Sequence, residues 1–380
     1  VEMQAKWGGV VPKLAQQAHM EAIDEVVEST LEQAKVRPED LSAVAVTIGP
    51  GLSLCLKVGV LKAREVAYNA SVPLIPIHHM EAHALVARLC AVNPRLGGEG
   101  YEGTDGVRFP FLALLVSGGH NLLVLVKGIG NYAILGTTLD DAIGEAYDKV
   151  ARLLGLDLSR GGGPALESFA LEGDATRYAF AVPLKNSRDK AKTCDFSFAG
   201  LKTAVRTRIE AEIGSEPTSE NRQLRADMAA AFQRVAIEHI CLRTKRAVQW
   251  SREDCPGIDT LVVAGGVASN EALRHGLRSV AEGEGMHLVC PPARLCTDNG
   301  AMIAWTGIER LALNLGVGSI PVSAKPAENE YVDLKPRWPL GQVDGRSSQP
   351  QTKSMKRKNV KVSLTEETLL AAAEKAKIHR

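Results

Sequence analysis

Apolar residues recur at helical spacing from Lys13 to Ala34, after a turn written Gly8-Gly9-Val10-Val11-Pro12, and predict a first helix over that range. The pattern then changes. Leu41 to Ile48 alternates like a buried strand and stops at Gly49-Pro50-Gly51-Leu52-Ser53, where glycine lets the backbone pass close to another segment. A helix from about Leu54 to Asn69 and a strand from Val72 to Ile77 complete a β-α-β unit. It leads directly into Ile77-His78-His79-Met80-Glu81-Ala82-His83, which opens an apolar helical run. Between Asn93 and Val107 the chain is rich in glycine, and this composition predicts a flexible surface loop and a domain boundary.

The second half opens with three strand-like runs, Phe109 to Val116, Asn121 to Val126 and Tyr132 to Thr137, followed by a long helix from Asp140 to Leu154. Three strands and a helix in that order resemble the start of an RNase-H-like lobe, as in actin, sugar kinases and heat-shock chaperones. In such lobes the first hairpin turn, here Ser117-Gly118-Gly119-His120, touches nucleotide phosphates. Arg160-Gly161-Gly162-Gly163-Pro164 then feeds another helix, and Asp195-Phe196-Ser197-Phe198-Ala199-Gly200-Leu201-Lys202 leads into a basic one. An amphipathic helix spans about Glu220 to Gln249. Thr260 to Ala264 is a strand running into Gly265-Gly266-Val267-Ala268-Ser269-Asn270 at a helix start, a pattern suited to an adenosine or ribose contact, and equally to an ordinary glycine-rich turn. After a strand at His287 to Cys290, Cys296-Thr297-Asp298-Asn299-Gly300 opens the helix of Ala301 to Asn314, where capping is the default role of an aspartate. From about Leu340 the composition turns polar and predicts a flexible tail, with a basic Lys356-Arg357-Lys358 and a short capped helix at Ser363 to Lys377.

The chain has 380 residues, 45% of them apolar, enough for two cores. Its net charge of +1 offers no global field for nucleic acid, so any RNA contact must use local patches. Lys202, Arg206 and Arg208 on one helix and Lys356 to Lys358 are the candidates. Seven cysteines without a Cys-x-x-Cys pair argue for structural thiols in a reducing compartment. No apolar run reaches the length of a membrane span.

The chemistry with the clearest spacing is the histidine pair. Positions i and i+4 share one helix face, so His79 and His83 can converge on one metal ion while His78 points elsewhere. The pair follows a strand, and strand ends are where α/β folds hold ligands. Imidazole suits zinc or iron. The spacing leaves the third ligand open.

Read together, the motifs resemble the tRNA threonylcarbamoyladenosine synthases, once described as O-sialoglycoprotein endopeptidases. They are Gly-Gly-Val-Val-Pro, His-His-Met-Glu-Ala-His, Leu-Val-Ser-Gly-Gly-His, Leu-Asp-Asp-Ala-Ile-Gly-Glu-Ala-Tyr-Asp-Lys, Asp-Phe-Ser-Phe-Ala-Gly-Leu-Lys, Gly-Gly-Val-Ala-Ser-Asn and Cys-Thr-Asp-Asn-Gly. They run from about Gly8 to Leu315, and the stretch Pro291 to Arg310 is most similar to the mitochondrial branch. The resemblance implies an α/β, two-lobed, actin-like fold: residues 1–107 as a first lobe, 108–339 as a second, and 340–380 as a tail. In this family a strand and a Ser/Thr/Asp-rich turn precede the point where this sequence begins, so the first lobe is expected without its N-terminal strands. Lys13 stands where bacterial relatives usually carry an acidic residue.

The same resemblance makes His79, His83 and Asp298 the ligands of one divalent metal ion, iron or zinc. It implies that Val116, Ser117, Gly118, Gly119 and His120 hold the phosphate and carbonyl region of the substrate, and that Asp148, Gly163, Glu167 and Asn270 bind its adenosine part. The implied reaction moves a threonylcarbamoyl group from L-threonylcarbamoyl-adenylate, made by a separate synthase, to N6 of adenine 37 in tRNAs reading codons that begin with A. A homodimer in the mitochondrial matrix, its transit segment absent from this chain, is implied as well. Two other readings compete. A zinc protease helix needs its glutamate directly after the first histidine, a place taken here by Met80, with Glu81 about 100° further round; in the transferase reading Glu81→Gln is therefore expected to cost little. A non-catalytic actin-like nucleotide-binding module would share the glycine loops but have no use for His79, His83 and Asp298 together.

Overall fold

The computed structural model describes residues 11–101, 106–159, 161–213, 220–320, 322 and 333–347. The turn at Gly8 to Val10, the basic Lys356 to Lys358 and the predicted helix at Ser363 to Lys377 lie outside the described residues. In chain order the elements are α1 (Pro12–Ala34), β1 (Val44–Gly49), α2 (Ser53–Ala70), β2 (Leu74–His78), α3 (His79–Val92), β3 (Phe111–Val116), β4 (Asn121–Gly128), β5 (Asn131–Thr137), α4 (Ile143–Leu153) and α5 (Gly162–Ala170). They continue with α6 (Ala199–Glu212), α7 (Arg222–Asp254), β6 (Thr260–Ala264), α8 (Glu271–Gly283), β7 (His287–Val289), the short α9 (Ala293–Cys296), α10 (Gly300–Ala312) and β8 (Gln342–Val343).

Two sheets organise these elements. β1 and β2 pair in parallel, joined by the crossover helix α2. In the larger sheet β3, β4 and β5 form an antiparallel meander, and β6 and β7 continue it in parallel on the side of β3. The order β5-β4-β3-β6-β7 is the RNase-H-like arrangement, and β1-α2-β2 repeats the parallel β6-α8-β7 unit. The chain is thus the two-lobed α/β protein that its strand order predicts. β3 is buried on both faces: Leu112, Leu114 and Val116 join a core roofed by α4 to α8, and Phe111, Ala113 and Leu115 join a second core on the other side. A central strand covered twice reads as an uninterrupted apolar run, which is how Phe-Leu-Ala-Leu-Leu-Val appears.

The second core is closed by α3. Met80, Ala84, Leu85 and Ala87 pack on the larger sheet, while Ala82, Val86 and Cys90 pack on Ile75 and Ile77 of the smaller one. With both sides covered, α3 has no polar stripe to show, which explains its nearly continuous apolar sequence. Besides His79, His83 and Arg88 the helix carries one carboxylate, Glu81, and it is fully buried. Its carboxylate accepts a hydrogen bond from the Tyr132 hydroxyl at 2.7 Å and two from the Arg310 guanidinium at 2.8 and 3.0 Å. One carboxylate therefore ties α3 to β5 and to α10.

Two stretches differ from the composition-based expectation. Residues 94–101 do not leave the surface as a free loop: Glu99 exchanges backbone hydrogen bonds with Cys290 at 2.8 and 3.0 Å, and its carboxylate takes Arg278 at 2.5 Å. Gly100, at φ +80°, is needed there, because a Cβ would meet the Leu288 carbonyl oxygen at 1.9 Å. Further on, Leu340 is buried and Gln342–Val343 pair with β5, so the sheet continues into the stretch whose polarity suggests a tail. Edge strands carry polar side chains outward, which composition cannot distinguish from disorder.

The Asp-Phe-Ser-Phe motif is stitched to the start of α4. Asp195 accepts Thr137 N–H at 3.0 Å, and Asp140 accepts Ser197 Oγ–H, Phe198 N–H and Ala199 N–H at 2.5, 2.8 and 3.2 Å. Beneath it lies His239, fully buried, edge-on to Phe196 and Phe198, with Nε2 accepting Ser197 N–H at 3.2 Å. Burial, aided by Arg243, pushes its pKa down to about 3. All seven cysteines are unpaired thiols, and no helix among the described residues is long and apolar enough to cross a membrane.

Two outcomes follow from the buried polar groups. His239 binds a proton in the unfolded chain near pH 6.5 but resists it in the fold, so its contribution is complete above pH 6.5 and declines as pH falls toward 3. Urea unfolding at pH 5 against pH 7 is expected to show about 2 kcal/mol less stability from this group, at roughly 1.4 kcal/mol per pH unit. A His239→Gln variant should lose correspondingly less on acidification. For Glu81, the expectation of a mild effect is revised: Glu81→Gln leaves Arg310, whose side chain is only 15% exposed, without its counter-charge. A loss of about 3 kcal/mol in urea unfolding is expected. Pairing the change with Arg310→Leu should recover much of it, and a double-mutant cycle reads this directly.

Candidate metal centre and substrate site

The chain enters α3 through His78, whose Nδ1 accepts Met80 N–H at 3.1 Å and whose Nε2 donates to the Trp338 carbonyl at 2.9 Å. One neutral tautomer satisfies both bonds, and burial lowers the His78 pKa to about 4. His78 is thus the helix cap, and the two histidines that follow on α3 are left for other work. His79 and His83 turn their Nε2 atoms to one carboxylate oxygen, Asp298 Oδ1, at 3.3 and 3.0 Å. Their rings stand edge-to-face with centroids 4.8 Å apart.

Asp298 is not the cap of α10. That role belongs to Asn299, whose Oδ1 accepts Met302 N–H at 2.9 Å and whose Nδ2 donates to the Thr297 carbonyl at 2.8 Å. The carboxylate before it is left to face the histidines. Hydrogen bonding to His79 and then His83 holds its carboxyl far below the usual carboxylate range, so it is ionised. The three ligand atoms lie within 4.8 Å of one another. Two imidazoles and one carboxylate suit a borderline divalent metal and leave further coordination positions open. Glu81 cannot serve as a base here, since both its oxygens are engaged by Tyr132 and Arg310.

The hairpin turn between β3 and β4 comes to the same place. Ser117 Oγ accepts Gly119 N–H and His120 N–H at 3.3 and 3.1 Å, which shapes the turn from within. Burial, then the proximity of His79 and His83, lowers the His120 pKa, with Asp298 opposing. His120 therefore lies within electrostatic reach of the metal-type cluster. The turn is packed against two glycines. Gly144 N–H donates to the Ser117 carbonyl at 3.3 Å, and a Cβ on Gly144 would lie 2.7 Å from Gly118 Cα. Gly265, at φ +98°, would bring a Cβ within 2.3 Å of the Val116 carbonyl oxygen.

Asp148, Gly163, Glu167 and Asn270 form a second group around α5. The Asp148 carboxylate accepts backbone N–H groups of Gly162 and Gly163, although burial, the larger influence, raises its pKa. Gly162 is obligatory, because its Cβ would lie 2.5 Å from Asp148 Oδ1. One turn along α5, Glu167 accepts Glu271 N–H at 2.7 Å and is raised in pKa, again chiefly by burial. Asn270 caps α8 by accepting Leu273 N–H at 2.8 Å and donates to Gln233 Oε1 at 3.2 Å. It is 5% exposed, so its amide is largely committed to the fold. Of the basic helix positions, Lys202 is paired with Asp141 at 2.5 Å and Arg208 with Glu212 at 3.3 Å. Sequence reasoning does not single out Tyr132, Gly144, Asn299 or Arg310. Only Gly144 and Asn299 carry a signal, a glycine inside a helix start and an N-cap residue type.

A family profile described as TsaD, tRNA N6-adenosine threonylcarbamoyltransferase, matches residues 1–305. A protein of Arabidopsis thaliana named as a probable mitochondrial tRNA N6-adenosine threonylcarbamoyltransferase is 52% identical over 96% of this chain and 73% of its own length. The tRNA N6-adenosine threonylcarbamoyltransferase of Agrobacterium fabrum is 43% identical over 90% of this chain and 84% of its own. Among solved structures, T.kodakarensis HypF aligns with TM-score 0.48 at 19% identity, over 74% of this chain and 42% of that one. The chain belongs to the family of tRNA N6-adenosine threonylcarbamoyltransferases.

Proposed function

We propose that this acyltransferase forms threonylcarbamoyladenosine at position 37 of tRNAs reading codons that begin with A, with L-threonylcarbamoyl-adenylate from a separate synthase as donor and one divalent metal ion, iron or zinc, held by His79, His83 and Asp298. The observation that carries the reading is the meeting of three ligand atoms from α3 and from the loop before α10 beside the turn of Ser117 to His120. When bound, such a metal supplies Lewis acidity toward a carbonyl or phosphoryl oxygen.

The donor is a mixed anhydride of a carbamate and AMP, so it is already activated. The adenine N6 amine forms the new C–N bond to the carbamoyl carbon, the C–O bond to the phosphate breaks, AMP leaves and the amine gives up a proton. What the protein must add is alignment of two substrates and stabilisation of charge on the carbonyl oxygen. Val116, Ser117, Gly118, Gly119 and His120 line the phosphate and carbonyl end. Asp148 and Glu167 offer carboxylate oxygens to ribose hydroxyls, with Gly163 beside Asp148 and Asn270 beside Glu167 as the further adenosine contacts. We take the assembly to be a homodimer, as the family resemblance implies. The name of the Arabidopsis relative supports a mitochondrial location, and the matrix is our reading of it.

Replacing Asp298 by alanine removes a ligand, and partners one bond further out already cost about 10–100-fold in metal affinity. The expected outcome is at least about a 100-fold loss of metal affinity together with loss of threonylcarbamoyl transfer, measured by elemental analysis and by tRNA modification with the adenylate supplied. An Asp298→Ala protein that keeps both would overturn the three-ligand site.

A further inference from the structure

A cavity of about 260 Å³ opens between α4 and α6, lined by Lys149, Arg152, Leu153, Lys202, Thr203 and Arg206. Four cations on one cavity repel one another unless something answers them. Asp141 answers two: it takes Lys202 at 2.5 Å and Lys149 at 3.1 Å. Burial works against its ionisation, but the bonds from Lys202 and Lys149 outweigh that and bring its carboxyl below the ordinary range. Glu145 takes Lys149 again at 2.6 Å. The two ammonium groups are therefore fixed in place and largely neutralised.

The two guanidinium groups are not. Arg206 reaches Glu210 only at 3.7 Å, with the side chains 56% and 67% exposed, a pairing of little energetic weight. Arg152 has no side-chain hydrogen bond or ion pair among the described residues and acts on Asp148 only through its field. Two planar forks on facing helices, one unpaired among the described residues and one paired only at 3.7 Å, match the oxygens of a phosphate better than lysine heads would. Location narrows the choice of anion. The cavity lies along the C-terminal half of α4, where Lys149 follows Asp148 and Arg152 acts on that carboxylate, so it adjoins the residue that meets Gly162.

We propose that this cavity receives a backbone phosphate of the tRNA, with Arg152 and Arg206 as its contacts and Lys149 and Lys202 as charge set in place by Asp141. The inference rests on the reading of tRNA as substrate. It changes the sequence-based patch: Arg208 turns to Glu212, Lys202 is neutralised, and Arg152 joins from another helix.

The test measures the dissociation constant of unmodified tRNA across a salt series for the full chain, for Arg206→Ala and for Arg152→Ala/Arg206→Ala. Both residues are exposed, so thermal unfolding should not change. The double variant is expected to bind about tenfold more weakly, with the salt slope reduced by about 0.7–0.9 for each phosphate it no longer holds. In the transfer assay KM for tRNA should rise with kcat retained. Unchanged affinity and slope would overturn the proposal, as would a loss of affinity for poly-glutamate but not for tRNA, which would make the cavity a docking point for an acidic protein. Wild-type chain that binds tRNA through these arginines yet transfers nothing would refute the transferase reading and leave the cavity's role standing.

Discussion

The structure depends on a single carboxylate placed where none would be expected, inside a helix pressed between two sheets. Glu81 enters that apolar setting with its charge answered by Arg310 and its remaining capacity by Tyr132. Taking a carboxylate and a guanidinium out of water costs several kcal/mol each, so the pair is a poor source of net stability against an apolar substitute. What it provides is position. α3 could slide or rotate along two smooth apolar faces with modest loss, whereas a bidentate ion pair tolerates neither movement. The histidines two residues to either side of Glu81 inherit that register.

Most of the fold was legible in the chain because its elements are long and clearly periodic. β3 and α3 read as apolar without a polar face, and both prove to be covered on two sides. The stretches that misled did so for one reason. Glycine-rich and polar segments look alike whether they wave in solvent or lie along a sheet edge, and Gly100 and Gln342 belong to the second kind. Close approach of backbone to backbone demands glycine just as mobility does. Only the partner strand, distant in sequence, tells them apart.

The candidate site was legible in a different way. Helical spacing alone brings His79 and His83 together, but nothing in spacing connects them with Asp298, 215 residues away from His83. That link came from likeness between whole motifs, and the geometry agrees with it. Glu81 illustrates the limit: its offset from the zincin position argues against a base role, yet its pairing with Arg310 needs α10 to cross α3 and leaves no trace in local pattern. Asn270 shows the opposite case, a residue type suited to ligand binding whose amide is already occupied by Leu273 and Gln233.

Asn299 and Asp298 are neighbours with opposite obligations, one bound to the helix it starts and one turned outward. The consequence is an asymmetric clamp. Two of its jaws stand on a helix immobilised by both sheets, whereas the third, 78% exposed, hangs on a short loop pinned at one end. Local opening follows the fewest buried contacts, so this third jaw is the one that yields. Opening of the cluster therefore starts at Thr297 to Asn299, the loop that carries Asp298, and leaves His79 and His83 in place on α3.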